Sequence, residues 1–182
     1  MIRLFTAIEI PEAISARLIG LQNGLPGARW IDRENFHITL RFIGEVAEDI
    51  ATDIDRALAE LTADPFDLFL SGIGQFGNKK PRAVWAGVSP SPVLSALQAR
   101  QEKALQRLGL EPDHRNYTPH VTLARLRNGA AADVWRYIEA NNLFETLPFT
   151  VERFVLFSSR LSQGGGPYVT EQVYPLQNRT AA

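Results

Sequence analysis

The sequence predicts an α+β protein of two pseudo-symmetric lobes, each a mainly antiparallel sheet with helices on one side, with a central cleft between the lobes. Short segments alternate apolar with polar residues, as half-buried strands do, and other segments have the periodicity of amphipathic helices. One pattern occurs twice, as His-Ile-Thr-Leu at residues 37–40 and His-Val-Thr-Leu at residues 120–123. A shift of 83 residues, the spacing of these two histidines, brings the predicted elements of the first half near those of the second.

The first half is expected to begin with an alternating strand at residues 3–10. A helix follows from Pro11 and Glu12 to about Asn23, because Pro is favoured in the first helical turn and Gly24 ends the helix. The other elements expected here are the histidine strand 36–43, a helix over 47–61 with one apolar stripe, and a strand over 66–73.

The second half repeats this order. It is expected to contain a strand at 82–88, a helix at 92–108 ended by Gly109, the histidine strand 118–126, a helix at 131–141, a strand at 149–157 and a last strand at 168–174. The glycine run before Pro167 lacks the helix that follows a phosphate-binding loop, so it is interpreted as a hairpin loop. We therefore expect residues 1–182 to form a single bilobal domain with halves of roughly 1–80 and 81–176.

Composition excludes several classes of protein. The 182 residues are 45% hydrophobic and 21% charged, which is typical of a globular protein. The absence of cysteine excludes disulfides, thiol catalysis and cysteine-ligated zinc, and suits a cytoplasmic location. Glu9 interrupts the apolar N-terminal residues, and no apolar stretch approaches the roughly 20 residues of a membrane span, so neither a signal peptide nor a membrane segment is expected. A net charge of −1 provides no overall basic field for non-specific nucleic-acid binding.

The repeated tetrapeptide predicts a chemical site. Side chains two apart on a strand share a face, so His37 lies beside Thr39, and His120 beside Thr122, while the intervening aliphatic residues face the core. Two such strands would supply two proton-transfer groups and two hydroxyl donors to an anion such as a phosphodiester. The third histidine, His114, lies in a polar stretch and is interpreted as a surface loop residue.

A metal site is the alternative for paired histidines. Zinc or iron would need at least one further protein ligand. The positions two and four residues after each histidine hold Thr39, Arg41, Thr122 and Ala124, none of which is a carboxylate. We therefore expect no metal and no cofactor.

These motifs closely resemble the two-histidine phosphoesterase superfamily, and in particular the bacterial and archaeal RNA 2′,3′-cyclic phosphodiesterases, formerly named 2′-5′ RNA ligases. The resemblance covers nearly the whole chain. Besides the two His-x-Thr motifs it includes residues 3–11, Trp30, Phe42-Ile43-Gly44, residues 81–87, residues 118–125, residues 156–161 and the glycine run before Tyr168.

The resemblance implies metal-independent opening of RNA or nucleotide 2′,3′-cyclic phosphate ends to 2′-phosphomonoesters, with His37 and His120 as the catalytic acid and base. It places a phosphate-contacting arginine at Arg125, although regular alternation would put Arg125 on the face opposite His120. A bend, a bulge or a long reach is then needed, and Arg127 is the alternative if the strand is regular. Phe42, Phe76, Trp85 and Tyr168 are candidates for stacking on a base.

Two other functions remain open at this point. The same histidines could join 2′,3′-cyclic and 5′-hydroxyl ends into a 2′-5′ linkage, or the pocket could bind RNA ends without turnover. The expected partners are RNA ends or cyclic nucleotides as substrate, with no membrane and no obligate protein partner, so that the protein acts as a monomer.

Overall fold

A computed structural model describes residues 1–159 and 166–177, which contain ten strands and four α-helices. The strands are β1 Ile2–Glu9, β2 Ala28–Trp30, β3 His37–Val46, β4 Phe66–Leu68, β5 Leu70–Phe76, β6 Ala83–Val88, β7 His120–Leu126, β8 Phe149–Val151, β9 Arg153–Ser158 and β10 Val169–Pro175. The helices are α1 Glu12–Ile19, α2 Glu48–Ala59, α3 Pro92–Arg107 and α4 Ala131–Asn141, and a short 3₁₀ turn covers Arg33–Asn35.

Eight of these strands form one antiparallel sheet. Its order is β10-β9-β1-β3-β7-β6-β5, and β2 pairs with β7 beside β3. The remaining two strands, β4 and β8, pair with each other in a separate small sheet. The predicted α+β class, with antiparallel sheets and a helical layer, is confirmed.

Within the large sheet, the strands β10-β9-β1-β3 meet the strands β7-β6-β5 at a single residue pair. Ile38 of β3 pairs with Val121 of β7, and these residues are 83 positions apart. In the small sheet Asp67 pairs with Thr150, again 83 positions apart. Each residue therefore pairs with its own counterpart, as a two-fold relation between the halves requires. The division into halves stays an interpretation, which these pairings support.

One continuous core lies between the sheet and the helices. It contains the aliphatic residues of both histidine strands, among them Ile38 and Val121, which have no exposed surface. Each helix adds buried side chains to it: Ile14 and Leu18 from α1, Ile54 and Leu58 from α2, Leu94, Leu97 and Leu105 from α3, and Val134 and Tyr137 from α4. No helix in residues 1–159 or 166–177 is long and apolar enough to cross a membrane.

The structure corrects several predicted elements. The expected strands 66–73 and 149–157 each break in two, at Phe69 and at Glu152, because the first part of each joins the small sheet and the second part joins the large one. The first helix ends at Ile19 instead of near Asn23, because the N–H groups of Leu21 and Gln22 bond to carbonyls three residues earlier and form a turn. Strand β2 was not predicted. Most of the glycine-run loop, at residues 164–165, lies outside the described residues.

Candidate active site

The two histidines have matching hydrogen bonds. His37 Nδ1 lies 2.8 Å from the carbonyl oxygen of Asn35, and His120 Nδ1 lies 2.6 Å from the carbonyl oxygen of Thr118. A carbonyl can only accept, so in each ring Nδ1 carries the proton and donates it. The neutral tautomer therefore leaves Nε2 of both rings as the base. For His37 this nitrogen lies 3.1 Å from the hydroxyl oxygen of Thr39.

Each histidine strand contains a β-bulge three residues after its histidine. Thr6 and Ala7 of β1 pair with Arg41 and Thr39, which leaves Leu40 unpaired. In the second histidine strand, β7, residues Ala124 and Thr122 pair with Val84 and Trp85 of β6, which leaves Leu123 unpaired. An extra residue reverses the alternation that follows it.

The bulges determine which residues reach the cleft. Beyond them, Phe42 of β3 and Arg125 of β7 line the same cleft as the histidines. The bulge at Leu123 therefore explains how Arg125 reaches the same side of the strand as His120. Arg127 is exposed and is not among the described residues that line the cleft.

The cleft has a volume of about 840 Å³ and brings together all five predicted site residues: His37, His120, Thr39, Thr122 and Arg125. It is strongly cationic although the whole chain carries a net charge of −1. Among the described residues, four arginines line it, at positions 3, 82, 115 and 125, and Asp113 is the one carboxylate. His114 is exposed and does not line the cleft.

Aromatic rings pack against both histidines. The His37 ring lies 5.2 Å from the rings of Phe5 and Tyr168, the latter edge-on, and the three side chains meet at one wall of the cleft. The His120 ring lies 4.9 Å from Phe76 and 5.7 Å from Trp85. Of the four aromatic residues predicted as base-stacking candidates, Phe42, Phe76 and Tyr168 line the cleft, whereas Trp85 packs beside His120 and is not among the lining residues.

Burial among these rings disfavours the protonated form of both imidazoles. Burial lowers the pKa of His37 to about 4; the Asn35 carbonyl opposes that shift, and the charges of His120 and Arg125 add to it. Burial also lowers the pKa of His120, against the opposing hydrogen bond to Thr118. An anion placed between the two rings would favour their protonated forms and raise both pKa values.

The described residues contain no group of three or more histidine, aspartate or glutamate side chains placed to hold a metal ion. The residues around His37 and His120 supply hydroxyls, amides and guanidinium groups, which bind anions.

Several site features were not found from the sequence. The carbonyl groups of Asn35 and Thr118 orient the histidines through the main chain, so no residue type marks them, although each lies two positions before its histidine. Phe5 and Arg115 also line the cleft. From the sequence alone, Phe5 is indicated only as an apolar residue of the first strand, and Arg115 only as a residue of a polar loop.

Comparisons with known proteins agree with this arrangement. The family model described as the 2′-5′ RNA ligase superfamily matches residues 10–163. An RNA 2′,3′-cyclic phosphodiesterase of Archaeoglobus fulgidus is 32% identical over 178 residues, which cover 94% of this chain and 99% of that protein.

Solved structures have the same fold. TT0787 of Thermus thermophilus superposes with a TM-score of 0.80 at 25% identity, covering 96% of this chain and 97% of that one. Escherichia coli LigT complexed with 3′-AMP superposes with a TM-score of 0.78 at 26% identity, covering 96% and 98%. The protein is a two-histidine phosphoesterase by fold. It belongs to the 2′-5′ RNA ligase superfamily.

Proposed function

We propose that this protein is an RNA 2′,3′-cyclic phosphodiesterase that hydrolyses 2′,3′-cyclic phosphate ends to 2′-phosphomonoesters. The observation that carries the proposal is the matched orientation of the two histidines: in each ring Nδ1 is bonded to a carbonyl, which leaves Nε2 as the nitrogen for proton transfer. Relatives named RNA 2′,3′-cyclic phosphodiesterase in Archaeoglobus fulgidus, Thermotoga maritima and Bacillus subtilis support the choice of substrate.

The proposed reaction is a single in-line displacement. Nε2 of His120 takes a proton from water as the water oxygen bonds to phosphorus, and the bond from phosphorus to O3′ breaks. The protonated Nε2 of His37 gives its proton to O3′, which leaves a 2′-phosphate and a free 3′-hydroxyl. Protons then return to their starting positions through solvent. Positioned acid and base groups of this kind each contribute about 10²–10⁴-fold.

The phosphate itself is held by donors. Thr39 and Thr122 would donate hydrogen bonds to the non-bridging oxygens, where negative charge grows in the transition state. Arg125 would supply the full positive charge. Both threonines are β-branched, which restricts rotation about χ1 on their strands and so limits the positions that the two hydroxyls can take.

No metal or cofactor is assigned to this reaction, and the protein is proposed to act as a monomer in the cytoplasm. A chain without cysteine suits a reducing compartment. The partners are then the RNA ends or cyclic nucleotides themselves.

The test is turnover of a 2′,3′-cyclic mononucleotide in the presence of a chelator, with products separated by chromatography. The matched variants are His37→Ala, His120→Ala and His114→Ala, since His114 is the exposed histidine outside the cleft. We expect the first two to lose at least about 10²-fold in kcat/KM and the third to match the wild type. Near-normal turnover by both cleft variants would overturn the mechanism. Activity that is lost on chelation and restored by zinc or manganese would favour a metal enzyme instead.

A further inference from the structure

The chain that leads into the second histidine strand has no helix or strand of its own. Residues 111–119 lie between α3 and β7, and four of the five residues 114–118 are exposed. The exception is Tyr117, which is half-buried and packs against the core. The carbonyl that orients His120 belongs to the next residue, Thr118. The orientation of His120 therefore depends on how the segment 111–119 is held.

The start of this segment is fastened by a buried charge. Arg41 of β3, which is 7% exposed, forms an ion pair with Glu102 of α3 and donates to the Glu111 carbonyl. Glu102 also accepts a hydrogen bond from the main-chain N–H of Asp113 at 3.0 Å. These contacts end at Asp113, seven residues before His120.

The end of the segment is fastened by the side chain of Tyr117. Its hydroxyl donates to the Thr39 carbonyl at 3.0 Å. Thr39 belongs to the first histidine motif, whereas Thr118, one peptide bond after Tyr117, orients the histidine of the second. Burial raises the pKa of Tyr117, so the hydroxyl keeps its proton and remains a donor. One hydrogen bond thus links the main chain of the first motif to the group that orients His120.

The strands themselves provide little further coupling between the two motifs. Within the described residues, β3 and β7 share one residue pair, Ile38 and Val121. The Tyr117 hydrogen bond is a second connection, and it lies at the cleft, since Tyr117 and Thr39 both line it. It therefore limits how far the two motifs can move apart at the place where the proposed substrate binds.

The first histidine is oriented without such a side chain. Its carbonyl partner, Asn35, lies in the 3₁₀ turn, where the Asn35 N–H donates to the Asp32 carbonyl at 2.9 Å. The counterpart of Tyr117, 83 residues earlier, is Glu34, which is exposed. Because main-chain bonds hold the carbonyl on this side, a substitution that loosens the segment before His120 should leave His37 in place.

We propose that Tyr117 is a positioning residue for the reaction, because its hydroxyl, through Thr39, holds the Thr118 carbonyl where that carbonyl orients His120. A displaced carbonyl would let the ring turn or adopt the other neutral tautomer, in which Nε2 carries the proton and cannot accept one from water. A misplacement on the order of 1 Å can cost about 10²-fold in rate. The inference rests on the proposed function, which makes His120 the base.

The test variant is Tyr117→Phe, and its matched control is Tyr137→Phe. Tyr137 of α4 is also shielded from solvent, its hydroxyl donates to the Leu21 carbonyl at 2.6 Å, and it is not among the described residues that line the cleft. Each substitution removes one hydroxyl-to-carbonyl hydrogen bond and keeps the ring. Both should therefore lower the Tm by a similar amount, roughly 2–4 °C.

Steady-state kinetics with a 2′,3′-cyclic mononucleotide separate positioning from binding. Tyr117→Phe should lower kcat by about tenfold or more and leave KM within about twofold, because the loss falls on proton transfer. Tyr137→Phe should match the wild type in both constants. A raised KM with unchanged kcat would assign Tyr117 to substrate binding, and equal losses in the two variants would reduce its role to stability. Either result would overturn the inference.

Nitrogen-15 NMR of the imidazoles gives a readout that needs no substrate. At about pH 8, above the ordinary histidine pKa, His37 and His120 of the wild type should both show the tautomer protonated on Nδ1. In Tyr117→Phe the His120 signals should shift toward the tautomer protonated on Nε2, while the His37 signals stay in place. Tyr137→Phe should change neither.

Unchanged His120 signals in folded Tyr117→Phe would also overturn the inference. A wild type that does not hydrolyse the cyclic nucleotide would instead refute the proposed function. The NMR comparison then still decides whether Tyr117 orients His120, since it is made on the free protein.

Discussion

Phe42 and Arg125 occupy equivalent positions, 83 residues apart, and each lines the cleft five residues after a histidine. A β-bulge precedes each of them at the same place in its strand. The two His-Thr pairs could exchange places under a two-fold relation, but an aromatic ring cannot replace a guanidinium. This pair of residues would therefore make the two sides of a phosphate held between the histidines different.

We expect this asymmetry to give a single product. A cleft that holds the cyclic phosphate in one orientation places one ribose oxygen opposite the attacking water, so only one bond breaks. With His37 as the acid, the product is the 2′-phosphomonoester with a free 3′-hydroxyl. Phosphorus NMR of the products from a 2′,3′-cyclic nucleotide measures this directly. A pure 3′-phosphate would exchange the roles of the histidines, and an equal mixture would show that the cleft does not orient its substrate.

Arg125→Gln should lower kcat/KM by about 10²-fold, because it removes a charged donor from the phosphate while it keeps a polar side chain. Arg127→Gln is the matched control, two residues further along and exposed outside the cleft. Steady-state kinetics on the cyclic mononucleotide distinguish them. Equal effects of the two substitutions would argue against the assignment of the phosphate contact to Arg125.

The chemistry of the site could be predicted from the sequence further than its geometry. The two His-x-Thr patterns identified His37, Thr39, His120 and Thr122, because a two-residue period places each pair on one face of its strand. The face of Arg125 could not be settled in the same way. A bulge changes that period by one residue, and it depends on pairing with a neighbouring strand, which the local sequence does not encode.

The connections across the cleft were also beyond local patterns. In the sequence Arg41 is notable only because it lies four residues after His37 and cannot ligate a metal. In the structure its partners Glu102 and Glu111 are 61 and 70 residues away. The strands expected at 66–73 and 149–157 likewise break at Phe69 and Glu152 because of pairing between the two halves of the chain. Periodicity shows which side chains are buried and does not show which strand will pair with which.

Arg41→Met should lower the free energy of unfolding by about 3 kcal/mol, because it leaves the carboxylate of Glu102 without its buried partner. Burial opposes the ionisation of Glu102, but hydrogen bonds from Gln106, the Asp113 N–H and Arg41 outweigh it, so the pKa of this carboxyl lies below its usual range. The control is Arg56→Met, which removes an exposed pair with Asp53 and should cost less than about 1 kcal/mol. Urea unfolding measures the free energy of unfolding of both variants. Equal losses would show that the buried pair of Arg41 and Glu102 does not stabilise the fold more than an exposed pair does.

Stability should also fall with decreasing pH because of His37. Its pKa is about 4 in the folded protein and about 6.5 when unfolded, so the unfolded chain binds the proton more readily. The free energy of unfolding should therefore decrease as the pH falls from about 6.5 to about 4, and this contribution should stay constant outside that range. Comparison of the wild type with His37→Gln by denaturant unfolding isolates the effect. A difference in stability between the two proteins that does not change across this range would contradict the lowered pKa.

The same shift predicts how catalysis depends on pH. As the proposed acid, His37 must be protonated to work, and burial lowers its pKa to about 4. The profile of kcat/KM reports groups in the free enzyme, whereas the profile of kcat reports groups in the substrate complex. A bound phosphodiester anion raises the pKa of the imidazole beside it. We therefore expect the alkaline limb of kcat to lie at higher pH than that of kcat/KM, measured with the cyclic mononucleotide from about pH 4 to 9. Limbs that coincide, with chemistry shown to be rate-limiting, would mean that the substrate does not change the protonation of His37, and the acid would have to be sought elsewhere in the cleft.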